Sequence, residues 1–371
     1  MQITILGNYI TNFGELWDKE LDDLLDEAVT GAVQDAQLDK KDIQAVFVAN
    51  KAAGNFGNQH HLNALVSQMF PHFPPAMRIE AACASGSLAL LAAEYALLSG
   101  QYKTVLVVGA EKMTDVSAEL TTQILAGAAD THTEIGSTFP ALYALLAQIH
   151  IQKFGTTREQ LSAVAVKNHH HAMANPKAQF HKQFTLEQVS NSQCVSDPLR
   201  ILDCSPISDG AAAVVLTTKQ IKNKPHILGF GHAQDTLDLA QRASLTELVA
   251  TKKAVHQALQ QSGLTIKQIQ AAEVHDCFTI AEILAVEDLG FFAKGKGGLA
   301  TLNQETTYGD KSKVVINPSG GLKACGHPVG ATGIKQVAYL AEMIKQGKFE
   351  KCLAHNVGGS GATAVVHIIS K

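Results

Sequence analysis

The chain has 371 residues, which is enough for two domains and a large buried core. Its net charge of −4 and the lack of any stretch rich in lysine and arginine argue against a protein that binds nucleic acid. The longest apolar helical segment, about residues 88–98, contains Glu94 and is too short to span a membrane. The first residues lack the basic region of a secretion signal, and six irregularly spaced cysteines do not predict a disulfide framework. These features predict a cytoplasmic protein with reduced cysteines.

Two stretches of the first half of the chain are repeated in the second half. Residues 32–48 align without gaps on residues 258–274, and each stretch resembles a helix end, a short turn and a β-strand. Residues 99–107 resemble residues 346–354, each a helix that ends at glycine before a strand. The order is the same in both halves, which indicates a duplicated chain. Chance similarity between common helix–strand units is the alternative.

Alternating helices and apolar strands, such as residues 104–109 and 211–216, predict a mostly parallel sheet with helices on both faces. About residues 111–198 are additional sequence in the first half, and we expect them to form an inserted loop domain that covers the core. The predicted halves are residues 1–218 and 219–371. Two similar sheets packed together would share one active site between them.

The first candidate site is the small-residue turn E-A-A-C-A-S-G-S at residues 80–87. Cys83 stands directly before an apolar helical pattern, and a thiol at a helix N-terminus gains thiolate character. Its small neighbours would let an acyl group approach closely. The turn therefore predicts a nucleophile, with a buried cysteine that acts as a small apolar side chain as the alternative.

Three further motifs follow in the second half. The stretch E-V-H-D-C-F at residues 273–278 places the imidazole of His275 two positions before the thiol of Cys277. A glycine-rich turn then presents His327, more plausibly as a base than as a packing residue, at a position comparable to that of Cys83. The turn L-A-H-N-V-G-G-S-G, which includes Gly359, could supply backbone N–H groups to an oxyanion. By pseudo-symmetry, we expect the turns of Cys83 and His327 to converge.

Together, E-A-A-C-A-S-G, S-D-G-A-A-A, H-D-C-F and G-H-P-V-G-A-T-G resemble the thiolase superfamily, in its sterol-carrier-protein-2-type branch. The likeness covers essentially the whole chain. It implies an α/β thiolase fold, in which two duplicated βαβαβαββ halves form a five-layered αβαβα core with an inserted loop domain. Ordinary thiolases carry N-E-A-F where this chain has H-D-C-F, and a second catalytic cysteine in a C-x-G turn. Here that turn lacks cysteine, and Cys277 supplies the thiol instead.

The resemblance implies an acyltransferase of the acetyl-CoA C-acetyltransferase or C-acyltransferase type. It would cleave 3-ketoacyl-CoA with coenzyme A, or run the reverse Claisen condensation, through a Cys83 acyl-enzyme. His327 would take the proton of Cys83, and Cys277 would be the acid and base at the α-carbon. His275 would stabilise the enolate-like oxygen, and the backbone N–H groups near Cys83 and Gly359 would bind the tetrahedral oxyanion. No cofactor is implied, because coenzyme A is a substrate.

Candidate substrate contacts are Arg242 and Ser244 for coenzyme A, Phe139 and Pro140 for the acyl group, and His355. For Arg242, a solvated surface position without a ligand is an equally good alternative to a coenzyme A contact. Adjacent histidines at 169–171 point in different directions and so predict no metal site.

Two alternatives in function remain open. A β-ketoacyl synthase shares the architecture, but it removes no α-proton and needs no thiol at Cys277. A non-catalytic or partner-dependent acyl-CoA-binding subunit is the second. Relatives also imply a homodimer or homotetramer and, in complexes, a zinc-containing OB-fold protein or hydroxymethylglutaryl-CoA synthase as partner.

Overall fold

The computed structural model describes residues 2–371. The strands are β1 Ile3–Ile10, β2 Val46–Ala49, β3 Ala76–Ile79, β4 Thr104–Glu111, β5 Cys194–Ser196, β6 Leu199–Arg200, β7 Gly210–Thr217, β8 His226–Gln234, β9 Ala271–Glu273, β10 Val315–Ile316, β11 Lys351–Gly358 and β12 Thr363–Ser370. The helices are α1 Leu21–Asp35, α2 Ala53–Phe56, α3 Leu62–Ser67, α4 Ser85–Leu98, α5 Ala118–Ala126, α6 Phe139–Phe154, α7 Arg158–Ala172, α8 Leu186–Ser190, α9 Val249–Ser262, α10 Thr279–Asp288, α11 Gly297–Leu302, α12 Gly321–Cys325 and α13 Thr332–Lys345.

Both halves of the chain have the same sheet topology. The first half has the strand order β3-β2-β4-β7-β1, and the second has β10-β9-β11-β12-β8. Counted along the chain within each half, the second strand (β2 or β9) pairs in parallel with the third and the fourth. The fifth strand (β7 or β12) pairs antiparallel with the fourth and the first. A short pairing of β1 with β8 joins the halves into one ten-stranded sheet. The duplication predicted from the sequence is confirmed.

The sheet is mixed, so the prediction of a mostly parallel sheet was wrong. β7 and β12 each run antiparallel to both of their neighbours within their half. Both strands are buried along almost their whole length, and such double-sided burial gives the continuous apolar runs that are typical of parallel strands. Composition therefore predicted the burial of these strands but not their direction.

The two halves of the sheet and the helices that pack on them form five layers. α13 contacts strands of both halves, including β7 and β11, so it lies between the two halves beside α4. α1 packs on β1, β4 and β7, and α9 packs on β8 and β12, which gives each half an outer helical layer. The predicted αβαβα order is thus present.

Glycines bring the N-termini of the two central helices into contact. A Cβ atom at Gly333 of α13 would lie 2.3 Å from the backbone nitrogen of Ser87 in α4. A Cβ atom at Gly86 would lie 2.8 Å from the nitrogen of Gly333. Only residues without a side chain allow this approach. The turns that precede α4 and α13 therefore converge, as pseudo-symmetry predicted.

The inserted segment lies between β4 and β7 and is mainly helical. Helices α6 and α7 share an apolar cluster with α10 of the second half, which includes Leu142, Leu161, Ile280 and Leu284. The predicted boundary after residue 218 falls between β7 and β8. Within residues 2–371, no helix has the length and apolar character needed to cross a membrane.

Candidate active site

Six of the residues predicted from the sequence line one cavity of about 150 Å³: Cys83, Phe139, Pro140, Cys277, His327 and Gly359. The motifs around Cys83, Cys277 and Gly359 follow the carboxyl ends of β3, β9 and β11, and Phe139 begins α6 of the insertion. Ligands of open α/β sheets bind at such strand ends. The cavity therefore lies where both halves and the insertion meet.

Cys83 lies in a tight turn at the start of α4. The hydroxyl of Ser85 accepts a hydrogen bond from the Ala81 amide at 2.9 Å and donates to the Ala82 carbonyl at 2.6 Å, and Ala82 has a left-handed φ of 51°. Burial raises the pKa of the Cys83 thiol to about 11, while the charge of Lys51 and the backbone N–H of Gly359 oppose that increase. Gly359 lines the same cavity as Cys83, which puts its backbone N–H in a position to serve as an oxyanion donor.

The hydrogen bonds of His327 fix its tautomer. Its Nδ1 lies 2.7 Å from the Thr332 hydroxyl, and that hydroxyl donates its hydrogen to the Pro328 carbonyl at 2.9 Å. The hydroxyl must therefore accept from Nδ1–H, which leaves a lone pair on Nε2. Burial, followed by the charge of Lys335, lowers the pKa of His327 to about 3. His327 is a neutral imidazole with Nε2 free to accept a proton.

His275 has the opposite tautomer. Its Nδ1 accepts a hydrogen bond from the side-chain amide nitrogen of Asn356 at 3.0 Å, so its hydrogen is on Nε2. This Nε2 is buried and has no partner in the protein. Burial, then the charges of His327 and His355, lower the pKa of His275 well below its ordinary value. His275 is a neutral donor, ready to bind an oxygen atom.

Cys83, His275 and His327 bring their sulfur and ring nitrogens within 4.8 Å of one another, and the two imidazole rings meet edge to face. A zinc ion would need a lone pair from each imidazole. Because Nε2 of His275 carries a hydrogen, the arrangement does not fit a resident metal. It fits a proton acceptor and a hydrogen-bond donor on either side of a thiol.

The second thiol, Cys277, is buried and contacts Tyr143. The Tyr143 hydroxyl donates to the Gly359 carbonyl at 3.1 Å and also interacts with the Cys277 sulfur. Burial and then the charge of Cys83 raise the pKa of Cys277 well above its ordinary range. The thiol is therefore protonated at neutral pH, which suits a proton donor. The sequence did not predict that Tyr143 links Cys277 to the Gly359 turn.

Between His275 and Cys277, Asp276 lies outside the cavity and has a structural role. Its carboxylate accepts hydrogen bonds from the backbone amide of Leu322 at 2.6 Å, that of Lys323 at 3.2 Å, and the side chain of Asn168 at 2.7 Å. These bonds attach the H-D-C-F segment to the start of α12. One carboxylate therefore holds the H-D-C-F segment against the helix that precedes the His327 turn.

Arg242 is a correction to the expected coenzyme A contacts. Its guanidinium is 9% exposed and donates to the Ser360 carbonyl at 2.7 Å and to the Thr236 carbonyl. Four of the five N–H groups of this guanidinium are thus engaged inside the protein, which disfavours a contact with phosphate. Arg242 instead fastens the turn that contains Gly359.

The other two candidate contacts do not line the cavity. Ser244 is half-buried, with its hydroxyl 3.3 Å from that of Thr246. His355 is fully buried, and its Nε2 lies 2.9 Å from the Thr251 hydroxyl on α9. His355 therefore packs on the outer helical layer, because side chains along β11 alternate between the two faces of the sheet.

The histidine run in α7 is dispersed, as expected. His169 Nδ1 lies 3.0 Å from the Lys182 carbonyl, whereas His171 Nδ1 lies 3.0 Å from the Asn317 carbonyl. His170 is exposed. These side chains share no ligand position.

Two family models together match nearly the whole chain. The model described as "Thiolase, N-terminal domain" matches residues 3–220, and "Thiolase C-terminal domain-like" matches residues 231–371. The chain belongs to the thiolase family. Its predicted membership and its enzyme class, an acyltransferase, are confirmed.

Named relatives resemble this thiolase along its full length. Acetyl-CoA acetyltransferase of Methanothermobacter thermautotrophicus is 45% identical over 100% of this chain and 99% of that protein. Acetyl-CoA acetyltransferase of Methanocaldococcus jannaschii is 42% identical over 99% of this chain and 98% of that protein. Human sterol carrier protein 2 is 30% identical over 98% of this chain and 71% of that protein.

Solved structures agree in fold. The thiolase matches the Ltp2-ChsH2(DUF35) aldolase with a TM-score of 0.82 and 23% identity, over 100% of this chain and 97% of that one. It matches human mitochondrial 3-ketoacyl-CoA thiolase with a TM-score of 0.78 and 17% identity, over 100% of this chain and 98% of that one. At these identities the likeness shows the fold alone.

Proposed function

We propose that this thiolase transfers acyl groups between coenzyme A thioesters through an acyl-enzyme on Cys83. It would cleave 3-ketoacyl-CoA with coenzyme A or run the reverse condensation. One observation carries the proposal: the Cys83 sulfur and a nitrogen of each of two neutral imidazoles of opposite tautomer lie within 4.8 Å of one another, and Cys83 shares its cavity with a second, protonated thiol. The names of the methanogen relatives support an acetyl group as one acyl unit.

In the proposed cleavage, Nε2 of His327 accepts the proton of Cys83, and the sulfur attacks the 3-keto carbon. The N–H groups of Gly359 and Cys83 stabilise the oxyanion. When the oxyanion collapses, the bond between C2 and C3 breaks, and its electron pair passes to C2. The Nε2–H of His275 stabilises the resulting enolate oxygen, and the thiol of Cys277 gives C2 its proton.

The second half-reaction releases the acyl group. The thiolate left on Cys277 accepts the proton of the incoming coenzyme A thiol, whose sulfur attacks the Cys83 thioester. The Cys83 sulfur leaves and regains the proton that His327 had accepted. Both thiols and both imidazoles return to their starting protonation states, so the reaction needs no cofactor besides coenzyme A as substrate.

The first experiment is cleavage of a series of 3-ketoacyl-CoA esters by wild type, Cys83→Ala and Cys277→Ala, with Cys194→Ala as a control at an exposed cysteine. We expect both cavity variants to lose cleavage and the control to keep it. Mass spectrometry should detect an acyl group on Cys83 of Cys277→Ala after incubation with acyl-CoA, because acylation moves no proton at an α-carbon and coenzyme A can leave as a thiolate. Wild-type cleavage by Cys277→Ala would contradict the assigned role.

The alternatives are less well supported. A β-ketoacyl synthase would not need the thiol of Cys277 in the cavity. A non-catalytic subunit would not need two thiols and two oriented imidazoles close together. We further propose a homodimer or homotetramer, which light scattering tests and a monomer would contradict. Co-purification tests the OB-fold zinc protein and hydroxymethylglutaryl-CoA synthase as partners, and absence of both from affinity-purified protein would contradict them.

A further inference from the structure

Lys51 is a half-buried cation in the wall of the Cys83 cavity. It follows β2, and its Nζ donates to the carbonyl of Ile124 in α5 at 2.7 Å. Among residues 2–371, no carboxylate forms an ion pair with it. Removing an ammonium group from water, even in part, is costly when no carboxylate is close enough to pair with it. Such a group calls for an anion at the site itself.

The segment that carries Lys51 is held in place by Glu111. The buried carboxylate of Glu111 accepts from the backbone amides of Lys51 at 3.0 Å, Ala52 at 2.9 Å and Gly330 at 2.9 Å. It thereby connects this loop to the turn that carries His327. Its hydrogen bonds go to these backbone groups and to the side chain of Asn50 rather than to the Lys51 ammonium, so the backbone at Lys51 is fixed while the ammonium remains available.

The nucleophile lacks another source of positive charge. When His327 accepts the Cys83 proton it becomes an imidazolium, yet its Nδ1 partner is the neutral Thr332 hydroxyl, and Lys335 adds positive charge nearby. The imidazolium is therefore poorly stabilised, and a thiolate–imidazolium pair would not form readily by itself. Among the charges that act on the Cys83 thiol, Lys51 is the one that favours its ionised form, whereas the carboxylates of Glu111 and Glu80 oppose it.

We propose that Lys51 stabilises the thiolate of Cys83 with its positive charge across the cavity. The inference rests on the proposed role of Cys83 as the nucleophile. Lys51 acts through Cys83 rather than on the acyl group, so its effect should be present in the free enzyme. Burial lowers the pKa of Lys51 itself. The charge of the Cys83 thiolate is the largest effect that opposes this decrease, so each of the two groups favours the charged form of the other.

The test is the pH dependence of Cys83 alkylation by iodoacetamide, an uncharged reagent that Lys51 does not attract. Rates are measured from about pH 6 to about pH 10 by mass spectrometry of the Cys83 peptide. Because only the thiolate reacts, we expect Lys51→Met to slow alkylation about tenfold at neutral pH and to raise the apparent pKa of Cys83. Exposed Cys194 in the same molecule is the internal reference, and its rate should not change.

Two further variants separate charge from structure. Lys51→Gln keeps a donor for the Ile124 carbonyl without the charge and should behave as Lys51→Met does, whereas Lys51→Arg should retain most of the wild-type rate. Lys41→Met, at an exposed lysine, should match wild type. Unchanged Cys83 profiles in both uncharged variants would overturn the proposal. Because no acyl substrate is present, a shifted profile would stand even if the enzyme failed to cleave 3-ketoacyl-CoA.

Discussion

His275 and His327 show how two identical side chains acquire different hydrogen-bonding states beside one thiol. Both are buried and uncharged, and their rings are 5.2 Å apart. Thr332 accepts a hydrogen bond from one ring, while Asn356 donates a hydrogen bond to the other. These two partners decide which imidazole accepts a proton and which donates a hydrogen bond.

Replacing Asn356 by aspartate tests this arrangement. A carboxylate can only accept, so Asn356→Asp should place the hydrogen of His275 on Nδ1 and turn the Nε2 lone pair towards the enolate oxygen. We expect kcat to fall by about 10²–10³, as for loss of an oxyanion donor, with KM little changed. Steady-state kinetics with a 3-ketoacyl-CoA measures it, and Asn191→Asp at an exposed site is the control. Full activity would contradict the tautomer assignment.

Residues in glycine-rich and small-residue turns were predictable from the sequence, whereas their orienting partners were not. Cys83, His327 and Gly359 stand in motifs whose local composition is unusual. Tyr143 lies on an ordinary-looking helix, and it meets the Gly359 turn 216 positions away. In the sequence Arg242 resembles a surface arginine, and its burial depends on contacts with the distant turn that contains Gly359. A local pattern carries no information on such distant contacts.

At the scale of whole elements, the contact between α4 and α13 determines where the two catalytic turns lie. Gly86 and Gly333 let these helices touch at their N-termini, directly after Cys83 and His327. Thr332, which orients His327, is the first residue of α13. A side chain at this contact would therefore disturb both stability and the geometry of the nucleophile and its base.

Gly333→Ala is the corresponding prediction. Its methyl group would lie 2.3 Å from the Ser87 nitrogen and 2.5 Å from the Asn356 side-chain oxygen, and backbone cannot move aside cheaply. We expect the free energy of unfolding to fall by about 3 kcal/mol, measured by urea denaturation. Gly57→Ala, whose added carbon comes no closer than 3.8 Å, is the matched control. Equal stability of the two variants would argue against tight contact.

Sequence patterns predicted the existence of the elements better than their direction. The repeated stretches correspond to α1 with β2 and to α9 with β9, so the duplicated order was predictable from aligned residues. The antiparallel direction of β7 and β12 was not, because a strand buried on both faces has the same apolar composition in either direction.

Across the whole molecule, several histidines are buried in their neutral form. Burial lowers the pKa to about 3 in four of them: His169, His171, His327 and His355. In the unfolded chain each would titrate near pH 6.5. As the pH falls below about 6.5, the unfolded state binds protons that the folded state does not, so the stability decreases.

Buried carboxylates oppose this trend. Burial raises the pKa of Asp276 to about 7 and raises the pKa values of Glu94 and Glu111. For these groups the folded state binds protons more readily, and their contribution to stability increases as the pH falls. The buried histidines, with His275 as a fifth, outnumber these carboxylates, so acid should destabilise the fold.

We therefore expect a lower urea midpoint at about pH 5 than at about pH 7. Each neutral buried histidine contributes about 1.4 kcal/mol per pH unit to the slope in this range. His355→Gln can keep a hydrogen bond to Thr251 and removes one such group, so it should make the pH dependence shallower by about that amount. An unchanged or higher wild-type midpoint at the lower pH would show that the carboxylates dominate.

Because both halves have the same strand order, the single chain resembles a dimer whose two members, now different in sequence, are covalently linked. The member that ends at β7 contributes Cys83, and the member that begins at β8 contributes both imidazoles and the second thiol. A symmetric ancestor built from two identical copies would have carried the same groups twice. Fusion removed that constraint, so each copy could specialise in one part of the chemistry while the pair still folds as one body.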